Sequence, residues 1–95
     1  MNRQHADIIL LHDGYPVPFD LYRRVLQQGA SAAPGWMPGI RYTAEKLLGA
    51  AFWSALTHGE RRLAGHCMVH IVTRRDLPLA FASEPYRYPR RYRLQ

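Results

Sequence analysis

A chain of 95 residues has room for one domain with a modest core and not for two. Its apolar fraction of 47% excludes wholesale disorder, and no run reaches the roughly 18 apolar residues of a membrane span. The net charge of +6 excludes an acidic, nucleic-acid-repelling surface and directs attention to anionic partners.

The longest aliphatic run, Ile8 to Leu11, is too short for a secretory signal and is followed by His12 and Asp13, not by a small-residue cleavage site. Cys67 is the single cysteine, so no internal disulfide is available. These features predict a protein of the reducing cytoplasm, with no membrane partner. Twelve of the 13 basic residues are arginine, a bias in keeping with a GC-rich bacterial genome and with no bearing on function.

The charge is unevenly placed. Residues 1–60 carry five basic and five acidic side chains and are neutral, whereas residues 61–95 carry eight arginines against Asp76 and Glu84. All of the net charge therefore falls in the last 35 residues, the electrostatic footprint of a nucleic-acid or acidic-protein binder.

In chain order, Ala6 to Leu11 fits either a strand or a short helix, because a continuous apolar run has no period. Asp13-Gly14 predicts a turn, and Pro16 and Pro18 keep the chain extended. Pro18 suits the first turn of a helix over 19–28, with Leu21, Val25 and Leu26 on one side and Gly29 as its stop. Residues 29–39, with three Gly and two Pro, predict a loop whose Trp36 and Met37 fold back on the core. Residues 40–42 suit one short strand.

Thr43 is a good N-cap for a helix over 43–57, marked by Ala44, Leu47, Leu48, Ala51, Phe52, Ala55 and Leu56 at helical spacing and weakened by Gly49. Thr57-His58-Gly59 then predicts a tight turn. A second helix over 60–75 carries Leu63, Ala64, Cys67, Met68, Ile71 and Val72 as an apolar stripe. Arg62, His66, Val69, His70 and Thr73 form its outer face, with Arg61 and Arg74 at the margins. Arg74 and Arg75 suit a helix C-terminus. Residues 77–82 and 90–94 predict a terminal hairpin around a loop over 83–89, with Tyr92 and Leu94 on its apolar face and Pro78 restricting the first strand to an edge or a strand start.

Helix, short strand, helix, tight turn, helix and basic hairpin is an order that resembles the winged helix-turn-helix class of DNA-binding domains. The resemblance covers residues 19–95 and rests on element order and charge placement. It implies a small α+β winged-helix-like domain over 19–95 preceded by an N-terminal extension over 1–18. It further implies that the helix over 60–75 enters a major groove, offering Arg62, His66, His70 and Thr73 to bases or phosphates, with Arg61 and Arg74 on flanking phosphates. The hairpin becomes the wing, with Arg87, Arg90, Arg91 and Arg93 along a backbone or in the minor groove. Glu60 sits where this helix would meet the bases and is better explained by its local suitability for a helix start.

The expected function is duplex DNA binding, as a small regulator or an accessory factor of a mobile element, with a homodimer allowed and residues 1–18 as the place for its interface. One alternative is a protein-interaction module docking an acidic partner or a larger complex, for which an apolar exposed patch around Trp36, Met37 and Trp53 would speak. A second is RNA or single-strand binding through the tail Tyr86-Arg87-Tyr88-Pro89-Arg90-Arg91-Tyr92-Arg93, whose interleaved Tyr and Arg suit stacking on unpaired bases. No cofactor or enzyme motif is present. His66 and His70 lie at i, i+4, but Cys67 falls on the opposite stripe and no second ligand pair is visible, so no metal site is predicted.

Overall fold

The computed structural model describes residues 7–84 and 87–95, and within them the chain opens on a β-hairpin. Strand β1 (Ile8–Leu10) pairs antiparallel with β2 (Pro16–Pro18), with Ile9 opposite Val17. A helix is not available to this segment because Asp13 and Gly14 close a turn on it. The Gly14 N–H donates to the Leu11 carbonyl at 2.7 Å, Asp13 Oδ1 accepts from the Tyr15 N–H at 3.0 Å, and Gly14 takes φ +82°. Two prolines are tolerated in β2 because the sheet has only two strands, so β2 is an edge. Ala6, the start of the apolar run, and Pro85 and Tyr86 of the expected loop lie outside the described residues.

Helix α1 (Phe19–Ala32) starts directly after Pro18, which acts as the N-cap residue and not as part of the first turn. It runs through Gly29 for three more residues, so Gly29 is not the stop expected of it. Its role is close approach: a Cβ built there would lie 2.6 Å from Leu77 Cδ1, so the absence of a side chain lets α1 pack against the segment after the last helix. A 3₁₀ turn (Ala33–Gly35) follows. Trp36 folds back as expected, 7% exposed, with its indole N–H donating to the Leu47 carbonyl at 3.2 Å. Met37 does not, and stands 61% exposed.

The helix expected over 43–57 is two helices, α2 (Ala44–Leu48) and α3 (Ala50–Ser54). Thr43 caps the first by accepting from the Lys46 N–H, as its side chain suits it to do. The break is Gly49, at φ +93° and ψ +144°, a conformation that side-chain-bearing residues strongly avoid. The helical spacing across 43–57 holds within each half, but the direction changes between them.

Helix α4 (His58–Arg74) begins earlier than expected and takes Gly59 into its first turn. A reciprocal capping box fixes its start: the Glu60 N–H donates to Thr57 Oγ1 at 3.1 Å, and the Thr57 N–H donates to Glu60 Oε1 at 2.9 Å. It ends on Arg75 in the left-handed region, with Arg75 and Asp76 N–H groups returning to the Val72 and Ile71 carbonyls.

Strands β3 (Leu79–Phe81) and β4 (Tyr92–Leu94) form the expected terminal hairpin, in the register Leu79 to Leu94 and Phe81 to Tyr92. Tyr42 reaches the other edge of β4 through a two-way backbone bridge with Tyr92, at 2.7 and 2.8 Å. The described residues thus form a small α+β fold of four α-helices and two two-stranded antiparallel sheets. Among them no helix is long and apolar enough to cross a membrane.

The core gathers Leu47, Leu48, Leu56, Met68, Ile71 and Val72 as expected, with Phe52 and Leu63 at its margin. Leu21 and Val25 join from α1, Leu11 and Val17 from the first hairpin, and Leu79 and Tyr92 from the second. Residues 8–18 therefore share the core of the rest of the chain. Their turn also covers His66 and His70 on the flank of α4 expected to face outward, and Val69 of that flank is 5% exposed.

Leu48 and Ile71 are fully buried, so Leu48→Ala or Ile71→Ala should each lose about 2–5 kcal/mol in denaturant unfolding. Gly49→Ala tests the break by its sign. In one continuous helix it would stabilise by about 1 kcal/mol. Across the observed backbone it should instead cost on the order of 1–3 kcal/mol, read as a lower urea midpoint at unchanged slope.

Candidate functional site

The expected outer face of α4 divides into two parts with different surroundings. In the second half of the helix, His66 and His70 are covered by the turn between β1 and β2. Tyr15 stacks on the His66 ring, with centroids 3.8 Å apart and planes 16° from parallel, and Asp13 Oδ2 lies 3.8 Å from His66 Nδ1. His70 Nδ1 accepts from the His12 backbone N–H at 2.9 Å and stands 3.2 Å from His12 Nδ1, while Tyr22 presents its edge to the same ring. The outward placement expected of His66 and His70 is corrected accordingly. The apolar second flank of this half-helix needs a cover, and the 8–18 hairpin supplies it.

Thr73 remains exposed at the end of the same flank, but its hydroxyl donates to the Val69 carbonyl at 2.7 Å. Arg74 is exposed and turned to Asp76, with Nε donating to Oδ2 at 3.0 Å. Neither lies near the first turns of the helix, so Thr73 and Arg74 do not join the other expected site residues.

The first half of α4 is different. Arg61 and Arg62 meet Arg90 across a cleft of about 320 Å³ whose walls include Trp53, Gly65 and Tyr88. Residues 61–62 and 88–90, far apart in sequence, are brought together because β4 is held against Tyr42 at the start of α2, which places the loop before it over α4. Arg61 is the more fixed of the cations: its Nε donates to the Trp53 carbonyl at 3.0 Å and so closes the end of α3. Arg62 is exposed. The Arg90 guanidinium lies 4.4 Å over the Tyr88 ring, a cation–π contact. Gly65 is where Arg90 crosses α4, with a Cβ site 3.4 Å from Arg90 Nη1. Tyr92 lines the cleft too, and its hydroxyl is buried with no hydrogen-bond partner among the described residues.

The remaining hairpin arginines divide by face. Arg87 and Arg93 are exposed, with Arg87 Nε 3.8 Å from the Glu84 carboxylate. Arg91 is half-buried: its backbone N–H donates to Ser83 Oγ and its Nε is buried without a partner among the described residues. Glu60, the one carboxylate at the start of the helix, is committed to the capping box, as its local suitability predicts. Cys67 is buried, and burial pushes its thiol up to about 12, which disfavours the thiolate that a metal or a nucleophilic reaction needs.

Sequence reasoning misses Gly65 as a site residue, which it leaves as a spacer, and places Trp53 in an apolar patch with Trp36 and Met37 instead of beside the arginines of this cleft. It also misses the His12, Asp13 and Tyr15 contacts with α4. No local signal pairs residues so distant in the chain, although two histidines on an otherwise apolar flank hint that something polar covers them.

No protein-family model matches the chain, and no curated protein and no solved structure matches it.

The histidine contacts carry a pH dependence. Burial is the first cause that lowers the His70 pKa, with His12 and Arg74 adding to it against Asp76 and Asp13. Burial likewise lowers that of His66, with Arg90 and Arg62 adding to it against Asp13. The folded state therefore binds fewer protons than the unfolded chain, whose histidines titrate near about 6.5. The contribution is complete above that value and is lost as the pH falls below it toward the folded values. Urea midpoints should fall between about pH 8 and about pH 5. His70→Asn, which keeps an acceptor for the His12 N–H and cannot titrate, should show a shallower fall; an unchanged slope would remove His70 from the account.

Proposed function

We propose that the domain binds duplex DNA in the manner of a winged helix, with the first turns of α4 at the major groove and the β3–β4 hairpin as the wing. The observation that carries this reading is the meeting of Arg61, Arg62 and Arg90 on one cleft, with Arg87 and Arg93 exposed on the same terminal hairpin and its loop. A phosphate backbone passing between helix and hairpin would meet these guanidiniums, and phosphate contacts position a protein without reading sequence. Base contacts then fall to Arg62, on the exposed flank of the first turns, because His66 and His70 are engaged by the first hairpin. The isolated bridge from Tyr42 to β4 supports this reading, because it ties the residues before α2 to the terminal hairpin. A role as a small regulator or mobile-element factor fits this chemistry, and so do other duplex-binding roles.

One observation favours a second reading, a protein-interaction module. Ile8, Leu10 and Phe19 are exposed on the first hairpin and the start of α1. The patch expected around Trp36, Met37 and Trp53 offers less, because Trp36 is buried and Trp53 half-buried.

Anisotropy titrations of a labelled duplex across a salt series separate these readings. Arg87→Gln with Arg93→Gln should weaken binding to all duplexes alike. The double variant should also reduce the slope of log affinity against log salt by about 0.9 for each phosphate it no longer neutralises. Arg62→Ala should cost roughly 1–3 kcal/mol on a duplex selected from a random pool and much less on random duplex. No duplex binding at low salt would overturn the proposal and leave the protein-interaction reading.

A further inference from the structure

We propose that the cleft between α4 and the loop before β4 is a pocket for one unpaired nucleobase, which stacks on the exposed Tyr88 ring and on Trp53 while Arg61 and Arg90, which line the same cleft, face its phosphate. The inference rests on the nucleic-acid reading above and narrows it, because it assigns the domain a preference for duplexes that end in, or adjoin, a single strand.

Four features support a base in place of a plain phosphate backbone. The first is size and lining. A cleft of about 320 Å³ is at the lower end of the roughly 300–1,000 Å³ typical of small-ligand sites. The second is the wall chemistry. Trp53 and Tyr88 are aromatic, and Tyr88 is 70% exposed although it is apolar enough to bury. Arg90 occupies a position over Tyr88 at 4.4 Å, so the wall already has a planar cation stacked on an aromatic ring, the combination that single-strand binders offer to successive bases.

The third feature is Tyr92. It lines the same cleft, is 1% exposed, and its hydroxyl lacks a partner among the described residues. A buried unpaired hydroxyl is costly, and a ligand with donors and acceptors on a ring edge can satisfy it. Burial is the main cause that pushes this phenol up to about 12, and Arg90 and Tyr88, both cleft residues, are the ionisable groups that bear on it. The hydroxyl is thus a neutral donor at physiological pH. The fourth is Gly65, which leaves the α4 backbone bare at the cleft wall where Arg90 crosses it and where a methyl group would take up space.

The test uses the full chain and reads both intrinsic tryptophan fluorescence and anisotropy. The probes are a mononucleotide, ribose 5-phosphate, a short oligothymidylate, a blunt duplex, and the same duplex with a short single-stranded overhang. The overhang duplex should bind tighter than the blunt one and quench Trp53, and the oligothymidylate should quench it as well; ribose 5-phosphate, which has no base, should do neither. Tyr88→Ala removes an exposed ring and should leave folding intact. It should abolish the preference for the overhang, a loss of about tenfold or more for one base–aromatic stack. Gly65→Ala, which favours the helix and adds one methyl group to the cleft wall beside Arg90, should reduce the preference by less than Tyr88→Ala does.

Equal binding of blunt and overhang duplexes, unchanged by Tyr88→Ala and Gly65→Ala but weakened by Arg62→Ala, would overturn the pocket and leave the duplex reading intact. Quenching by the mononucleotide with no duplex binding would overturn the duplex reading and keep the pocket as a site for a free nucleotide. No response to any probe would overturn both.

Discussion

The fold depends on burying α4 on both flanks along its second half. Ala64, Cys67, Met68, Ile71 and Val72 belong to the core shared with α1, α2 and the terminal hairpin, and His66 and His70 meet the first hairpin on the other side. Residues 67–72 of α4 are all buried, so this stretch needs cover on both flanks, and the turn within residues 8–18 supplies part of it. The two histidines are the polar cost of that arrangement. Each is given a partner on the cover, His12 for His70 and Tyr15 with Asp13 for His66, in keeping with the rule that buried polar groups are satisfied.

The same burial explains where recognition is left possible. A helix that must be dry over its second half can present only its first turns to a ligand. These turns carry the capping box, Arg61 and Arg62, and they face the loop that carries Tyr88 and Arg90. The break at Gly49 serves this layout. Had residues 43–57 formed one rod, Trp53 would face away from the Leu47 and Leu48 stripe, on the far side of that helix. Because the chain turns at Gly49, Leu47 and Leu48 stay fully buried while Trp53 reaches the cleft and offers its carbonyl to Arg61.

Much of this order is legible in the sequence. The cap at Thr43, the paired strands around Tyr92 and the core residues of α2 and α4 all follow from local chemistry and period, because these elements are stabilised by neighbours close in sequence or by an apolar stripe of ordinary width, whereas Thr57 reads as part of a turn and is the cap of α4. What is not legible shares one cause. Gly29 reads as a stop and is a contact with Leu77; Gly49 reads as a weak point and is a break; His66 and His70 read as donors to a ligand and are held by a hairpin. In each case the local signal is the same for both outcomes, and the deciding partner is distant. The cleft is legible in its charges and not in its walls, since Arg61, Arg62 and Arg90 stand out by type whereas Trp53 and Tyr88 have equally good reasons to pack inward.

Charge links the two halves of α4. His66 is covered by Tyr15 and Asp13 of the first hairpin, yet Arg90 and Arg62, which line the cleft, both disfavour its protonation. Gly65 lies between the two environments, one residue from His66 and beside Arg90. The helix is therefore not a uniform reading head but a strut whose buried half fixes the position of its exposed half. Specificity drawn from so short an exposed stretch has to come from few contacts of high geometric quality. For the proposed nucleic-acid site, that constraint favours a half-open, aromatic-walled cleft over a long polar helix face, because one well-stacked ring fixes a ligand's plane and position where isolated arginines fix only its charge.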